Sequence, residues 1–314
     1  MVLCAAGEDT VSNIFNKLVT DGAITSYPKF LASNIQSEVI MGSVAYGVSD
    51  DTSDVDVYGW CIPPKDFIFP HLRGEIDGFS TLGPRFDQFQ QHHIAWPVQA
   101  PTTSYDVTIF SIVKYFRLCM ECNPNMIDSL FAPRHAVLFS TPIAEMVREK
   151  RRLFLHKGAW FKFKGYSYSQ MHKMRIKKPE GKRKEQSEKY GLDLKYAYHI
   201  VRLLNEAEQI LTEHDLDITR NREQLKAIRR GEWTLEQVEQ YFETKERELE
   251  SAYTASTLRH SPDEHAIRGL LMDCLEHHYG SLAQCVLRED AITQAFRQIK
   301  TIVDNVSITA QEKG

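Results

Sequence analysis

Along residues 9–20, DTVSNIFNKLVT, apolar side chains recur at helical spacing after an acidic start, which predicts a helix. The period then changes. Residues 37–41, SEVIM, form a short run of strand formers that stops at Gly42. Residues 53–62, SDVDVYGWCI, alternate, with Val55, Val57 and Trp60 set against Asp54 and Asp56. Both stretches predict strands. Pro63-Pro64 ends the second. Residues 63–103 are rich in Pro, Gly, His and Gln, and predict loops around one or two short strands. SYDVTIFSIVKYFRLCMEC begins as a strand near Tyr105 and turns helical by about Ile112. After NPNMIDSLF, from about residue 141, the chain is Lys-, Glu-, Leu- and Gln-rich with helical periodicity. Within it, Ser261-Pro262-Asp263-Glu264 predicts a helix start: Ser as N-cap, Pro at the first helical position, acids in the first turn. The expected architecture is α+β: a small mixed sheet with flanking helices over 1–140, then an all-helical domain over 141–314.

Composition narrows the class. At 314 residues the chain has room for a sizeable core. No stretch approaches the roughly 18–20 apolar residues of a membrane span, so no membrane partner is expected. The start, MVLCAAGEDTVSNIF, lacks the basic region and apolar run of a signal peptide. Six scattered cysteines suit reduced thiols and a cytoplasmic location. Charge is uneven. Residues 1–140 carry 8 Lys/Arg against 15 Asp/Glu, net −7; residues 148–202 carry 17 against 5, net +12; residues 203–314 carry 13 against 21, net −8. A basic middle beside an acidic N-terminal half suggests a polyanionic ligand met by carboxylates that hold metal; the competing reading is a solvated basic helix face.

The stretch MGSVAYGVSDDTSDVDVYGW, 41–60, raises the sharpest question, because strands disfavour Asp. Residues two apart on a strand share a face, so Asp54 and Asp56 stand side by side, roughly 6–7 Å apart along the strand. Two carboxylates so close repel unless a cation lies between them. Hard oxygen ligands suit Mg²⁺, with Mn²⁺ in the same role, and Mg²⁺ keeps waters and takes phosphate oxygens. A third carboxylate from a neighbouring strand would complete a two-ion site, and Asp106 is the best candidate. Gly42 lets backbone approach phosphates, and Ser43 offers an amide and a hydroxyl. Rival readings fail on the same letters: Val48 stands where a P-loop needs Lys, and Tyr58 and Lys65 stand where an EF-hand needs ligands. An Asx-rich turn with two surface aspartates is the plain alternative.

GSVAYGVSDDTSDVDVYG resembles the signature of DNA polymerase β-type nucleotidyltransferases, a Gly-Ser followed about ten residues later by Asp-x-Asp. It is similar in particular to a subgroup linked with RNA-repair pathways. There the pieces G-S-x-A-Y-G and S-D-x-D-x-x-G recur, as do an Asp opening a strand-helix that runs into Asn-Pro-Asn, here Asp106 through NPNMIDSLF, and a later helix like KYAYHIVRLL. The resemblance covers about residues 36–230. It implies that Gly42 and Ser43 bind nucleotide phosphates, that Asp54, Asp56 and Asp106 bind the metals, and that Asp106 also serves as base. It implies Mg²⁺-dependent transfer of a nucleoside monophosphate from an NTP to a hydroxyl, with an RNA 3′ end as acceptor. A protein or small-molecule acceptor is one alternative; a nucleic-acid-binding protein on an inert fold is another.

Two further constellations bear on this reading. LDLKYAYHIVRLL places Lys195, His199 and Arg202 on one face of an otherwise apolar helix, so they need an anion: a triphosphate, or internal Asp and Glu partners. Residues 154–190 interleave aromatics with cations, among them Lys173, Arg175, Lys177, Lys178, Lys182, Arg183 and Lys184, a pattern that suits single-stranded nucleic acid or a packed helix with solvated lysines. KKPEGKRKEQSEK, 177–189, predicts a mobile basic loop. Cys119 and Cys122 lack a second pair and predict buried thiols rather than zinc. The pairs His92-His93 and His277-His278 are assigned no role.

Overall fold

The alternation around Asp56 becomes the central strand of a five-stranded sheet. The computed structural model describes residues 13–48, 54–69, 85–99, 103–176, 182–280 and 299, without the side chains of Lys182 and Arg183. In chain order its elements are α1 (Ile14–Thr20), α2 (Leu31–Asn34), β1 (Ile35–Met41), α3 (Gly42–Ala45), β2 (Val55–Cys61), α4 (Lys65–Ile68), β3 (Gln88–Trp96), β4 (Thr103–Ser111), α5 (Ile112–Met120), α6 (Pro124–Leu130) and β5 (Val137–Ser140). There follow α7 (Pro142–Glu149), α8 (Ala159–Ile176), α9 (Lys182–Tyr190), α10 (Leu194–Glu213), α11 (Arg222–Arg229), α12 (Leu235–Ala255) and α13 (Glu264–Tyr279). This is an α+β fold. Of the predicted first helix, 9–12 lie outside the described residues, and Asn13 caps α1 by accepting the Asn16 amide at 2.8 Å.

Strand order is β3-β4-β2-β1-β5. Only β2 and β4 run parallel; the other pairs are antiparallel. One face packs Val57, Val107 and Ile109 against Phe15 and Leu18 of α1 and against Ile24 and Leu31, all buried. The strict period of two puts Trp60 on the face of Asp56 and Tyr58, not with Val55 and Val57, and Trp60 stacks there on Tyr115 of α5 at 5.8 Å. Both faces of β2 are therefore covered at its far end. Gly59 is required between the strands: a Cβ there would lie 2.5 Å from the Ser37 carbonyl and 2.8 Å from Ile109 Cδ1.

Beyond β5 the described chain is helical. The texture change near residue 140 coincides with the end of β5. The sheet and the helices that follow lie together in one compact unit, Met1–Pro63 with Phe86–His278, and Pro64–Arg85 with Tyr279–Gly314 form a second. In the second unit α4 carries Lys65, whose amine sits over the Tyr279 ring at 5.0 Å. In the first, α10 packs against α8, α11 and α12 and is buried nearly all round, as its apolar sequence requires. The last described helix starts two residues later than its sequence signal: Asp263, not Ser261, accepts the Ala266 amide at 3.1 Å, and α13 begins at Glu264. An Asp side chain can occupy the cap as well as Ser can, so SPDE carries two competing start signals. Among the described residues no helix is long and apolar enough to cross a membrane.

One buried acid makes this fold pH-sensitive. Glu38 of β1 accepts the Ile14 amide at 2.6 Å and the Phe15 amide at 3.1 Å, tying α1 to the sheet. Burial nonetheless outweighs these bonds and pushes its carboxyl from 4.5 up to about 7. Between these values the folded chain binds the proton more tightly than the unfolded one, so stability falls as pH rises. At about 1.4 kcal/mol per unit the loss approaches ~3 kcal/mol by pH 7.5. Glu38→Gln removes this slope: its urea stability should change less than wild type between pH 5 and 7.5. Parallel curves for the two proteins would show that Glu38 is already ionised at pH 5.

Candidate active site

The parallel pairing of β2 with β4 sets Asp56 and Asp106 in register as direct neighbours. Paired strands lie about 4.8 Å apart, and register partners share a face, so the two carboxylates project together. Asp54 is exposed just before β2 begins. The three aspartates expected from sequence are thus gathered at one end of two adjacent strands.

Gly42 closes the site from β1. Its φ is +68°, and a Cβ built on it would lie 2.5 Å from Asp56 Oδ2. Both facts demand glycine at the first position of the Gly-Ser motif. Ser43, the second residue of the short α3, is half-exposed, and its carbonyl accepts the Val48 amide at 2.8 Å. Arg229 of α11 donates to the Val48 carbonyl at 2.6 Å, fastening the end of this turn. Gly42→Ala should cost about 1–2 kcal/mol for the left-handed backbone alone, and should lose activity because Asp56 must move. Urea unfolding and an activity assay check both; an unperturbed variant would show that the turn has slack.

Electrostatics mark the same place. Burial first, then the charge of Asp106, raise the Asp56 carboxyl; Lys195 opposes them and Asp54 adds to them. Asp106 runs the other way. Burial would raise it, but the His93 amide and the His92 imidazole together outweigh burial and hold it below the usual carboxylate range. The His93 amide donates to Asp106 Oδ1 at 2.8 Å, and His92 Nδ1 lies 3.0 Å from Oδ2. Tyr58, two residues past Asp56 on the same face, is pushed up to about 12 by burial and by Asp56.

Asp54, Asp56 and Asp106 are hard oxygen donors of the kind a divalent cation takes, and Asp56 and Asp106 are adjacent. Among the described residues no three acidic, thiol or imidazole groups converge closely enough to hold a metal ion as they stand. Such a site suits an ion that keeps waters and takes oxygens from a bound phosphate.

The helix face predicted to hold a triphosphate divides. Lys195, exposed at the start of α10, lies near enough to draw the Asp56 pKa down. His199 is half-buried with its ring beside Tyr198, centroids 4.2 Å apart. Arg202 is the correction. It is only 5% exposed, and its Nη1 donates to Asp128 Oδ2 of α6 and to Glu206 Oε1 and Oε2 of α10, both at 3.0 Å. Its guanidinium lies over the Tyr46 ring at 4.4 Å, while the Tyr46 hydroxyl donates to Asp128 at 2.7 Å. Its anions are internal, so it supports the site's walls and does not line them. One buried cluster thereby joins three motif pieces, GSVAYG, NPNMID and KYAYHIVR.

Some cations of the basic stretch are paired within the fold. Arg175 of α8 pairs with Glu239 of α12 at 2.7 Å, and neighbouring Lys164 pairs with Glu246 and Glu250 at 2.8 Å. Acidic α12 thus neutralises much of the charge on α8. Lys173 is exposed, and Lys184 is exposed with Glu188 at 3.8 Å. Residues 182–190 form α9 rather than a loop, whereas Lys177, Lys178 and the side chains of Lys182 and Arg183 lie outside the described residues. Cys119 and Cys122 are buried free thiols, both raised by burial, and Cys122 Sγ donates to the Phe154 carbonyl at 3.4 Å.

Sequence reasoning missed His92 and His93. Adjacent strand residues ordinarily point to opposite faces. A bulge in β3 between Gln91 and Ile94, with His93 at φ +54°, brings both histidines to one carboxylate. No local signal in QQHHIAW announces it.

A five-stranded mixed sheet with a Gly-Ser turn facing an Asp-x-Asp strand and a third Asp in register is the arrangement of a polymerase β-like nucleotidyltransferase domain. The chain belongs to the RNA repair pathway DNA polymerase beta family, RlaP, whose model matches residues 32–273. Among solved structures, a nucleotidyltransferase-like protein from Exiguobacterium sibiricum 255-15 aligns over 90% of this chain and 88% of its own at 10% identity, with a TM-score of 0.26. No curated protein matches the chain.

Proposed function

We propose that this protein transfers a nucleoside monophosphate from an NTP to a hydroxyl and releases pyrophosphate, with Mg²⁺ or Mn²⁺ as cofactor and an RNA 3′ end as acceptor. The observation that carries the reading is the in-register pair Asp56–Asp106, faced by a glycine whose Cβ would strike Asp56. Asp54, Asp56 and Asp106 would hold the ions. Bound there, Mg²⁺ supplies positive charge to the triphosphate and acidifies the attacking hydroxyl. The Gly42-Ser43 turn brings backbone and hydroxyl donors to the phosphates. Lys195 adds a cation on the same side. Asp106, held ionised by its hydrogen bonds, accepts the proton of the acceptor hydroxyl. The hydroxyl oxygen bonds to the α-phosphorus, the α–β phosphoanhydride bond breaks, and its electrons leave with pyrophosphate.

Incubation with each labelled NTP, Mg²⁺ and total RNA tests the reaction, and the class of macromolecule labelled identifies the acceptor. The RNA acceptor draws on the family description and on the cations of 173–184. The pairing of Arg175 and Lys164 with α12 favours a second reading, a protein or small-molecule acceptor. Salt dependence separates the two. Phosphate contacts on single strands give a log–log slope of about −0.7 each, so four contacts give a slope near −3. Replacing Lys177, Lys178, Lys182, Arg183 and Lys184 by Ala should flatten it and spare NTP binding, whereas Arg175→Ala should leave it unchanged. A wild-type slope near zero would exclude RNA while leaving nucleotidyl transfer intact.

A further inference from the structure

We infer that His92 is a positioning residue for Asp106, held in its donating tautomer by a polar ladder along β3; the inference rests on the nucleotidyltransferase reading. Gln88, Gln90 and His92 occupy alternate positions of β3 and so share one face. Gln88 Nε2 donates to Gln90 Oε1 at 3.0 Å, and the Gln90 nitrogen is turned toward His92. Gln90 Nε2 lies 2.7 Å from His92 Nε2. An amide nitrogen only donates, so His92 Nε2 accepts and its proton sits on Nδ1. Nδ1 faces Asp106 Oδ2 at 3.0 Å and donates to it.

The other carboxylate oxygen is held from the same bulge, by the His93 amide at 2.8 Å. Each oxygen of Asp106 thus has one lone pair engaged by β3 and one left for a cation or a proton. This fixes both the rotation of the carboxylate and its distance from Asp56 on the neighbouring strand. Hydrogen-bonded partners behind a metal-binding carboxylate are worth about 10–100-fold in metal affinity or activity. His92 is 51% exposed, so its replacement disturbs no core packing.

The two amide side chains discriminate this role from a merely structural one. Asn places its nitrogen where Nδ1 stands; Gln places its nitrogen near Nε2. His92→Asn should therefore keep wild-type behaviour. His92→Ala and His92→Gln should lower kcat about 10–100-fold with KM for NTP little changed. They should also raise by a similar factor the Mg²⁺ concentration that gives half of the thermal shift in the absence of NTP. Equal behaviour of Asn and Gln, or tighter Mg²⁺ binding by His92→Ala, would overturn the inference; the latter would mean that His92 masks Asp106. A wild type with neither a Mg²⁺ shift nor labelled product sinks the nucleotidyltransferase reading, and this inference with it. An active wild type with a flat His92 series sinks the inference alone.

Discussion

Asp56→Asn is expected to abolish nucleotidyl transfer and to leave a protein that melts at or slightly above the wild-type temperature. The two effects share a cause. Asp56 is half-buried beside Asp106 and near Asp54, and its burial together with their charge raises its carboxyl. A raised carboxyl means that the ionised form is disfavoured by folding, so at neutral pH its charge costs stability in the absence of a cation. Asn keeps the shape and removes that cost. It also removes the charge that a divalent ion needs from the buried member of the pair. Metal charge stabilisation amounts to several kcal/mol and each ~1.4 kcal/mol is tenfold in rate, so the loss should be about 10³-fold or more. Melting in metal-free buffer, then with Mg²⁺ and NTP, separates the two effects. Wild type should gain stability from the ligands by mass action, and Asp56→Asn should not. Retained turnover in Asp56→Asn and in Asp54→Asn would remove the carboxylates from the chemistry.

What could be read from sequence was whatever is local. The run SEVIM, the alternation in SDVDVYG and the change of period at Ser111 each follow from side chains a few positions apart. The structure sets strands and a helix there, with Ser111 accepting the Lys114 amide at 3.2 Å as the cap. The three aspartates stood out in the sequence because Asp-x-Asp is unusual beside strand formers and SYDVTIF offers a single acid. Strand order was not legible, nor was the parallel register that makes Asp56 and Asp106 neighbours. The remaining misses are long-range. Arg202 looked like an anion seeker on an apolar helix, which it is; the anion supplied by Glu206 lies four residues on, but Asp128 lies 74 residues away. Likewise Lys164 and Arg175 of α8 looked available only because the glutamates that meet them stand on α12, more than 60 residues later. The bulge at His92-His93 depends on pairing with β4, which no hydrophobic pattern encodes.

Arg202→Met should destabilise the fold by about 3–5 kcal/mol, the usual consequence of stripping one partner from a buried ion pair. Met fills much of the aliphatic volume, so the cost is chiefly electrostatic. Burial raises both Asp128 and Glu206, Glu206 strongly; Arg202 lowers each, and its own guanidinium is held charged, against burial, by Glu206, Tyr46 and Asp128. A single guanidinium neutralises one carboxylate; Asp128, which accepts the Tyr46 hydroxyl as well as Arg202, is the one placed to stay ionised, and Glu206 the one to keep a proton. Two consequences follow that a phosphate-binding Arg202 would not produce. Glu206→Gln, which swaps one neutral group for another, should cost far less than Arg202→Met. Arg202→Met, at a temperature where it is fully folded, should bind NTP as wild type does, since Asp128, Glu206 and Tyr46 already occupy the side chain. Urea titrations of the two variants give the first comparison and NTP titration of folded Arg202→Met the second. A small loss of stability with a tenfold or larger loss of NTP affinity would return Arg202 to the nucleotide. A cost for Glu206→Gln equal to that of Arg202→Met would place the negative charge on Glu206 and the proton on Asp128.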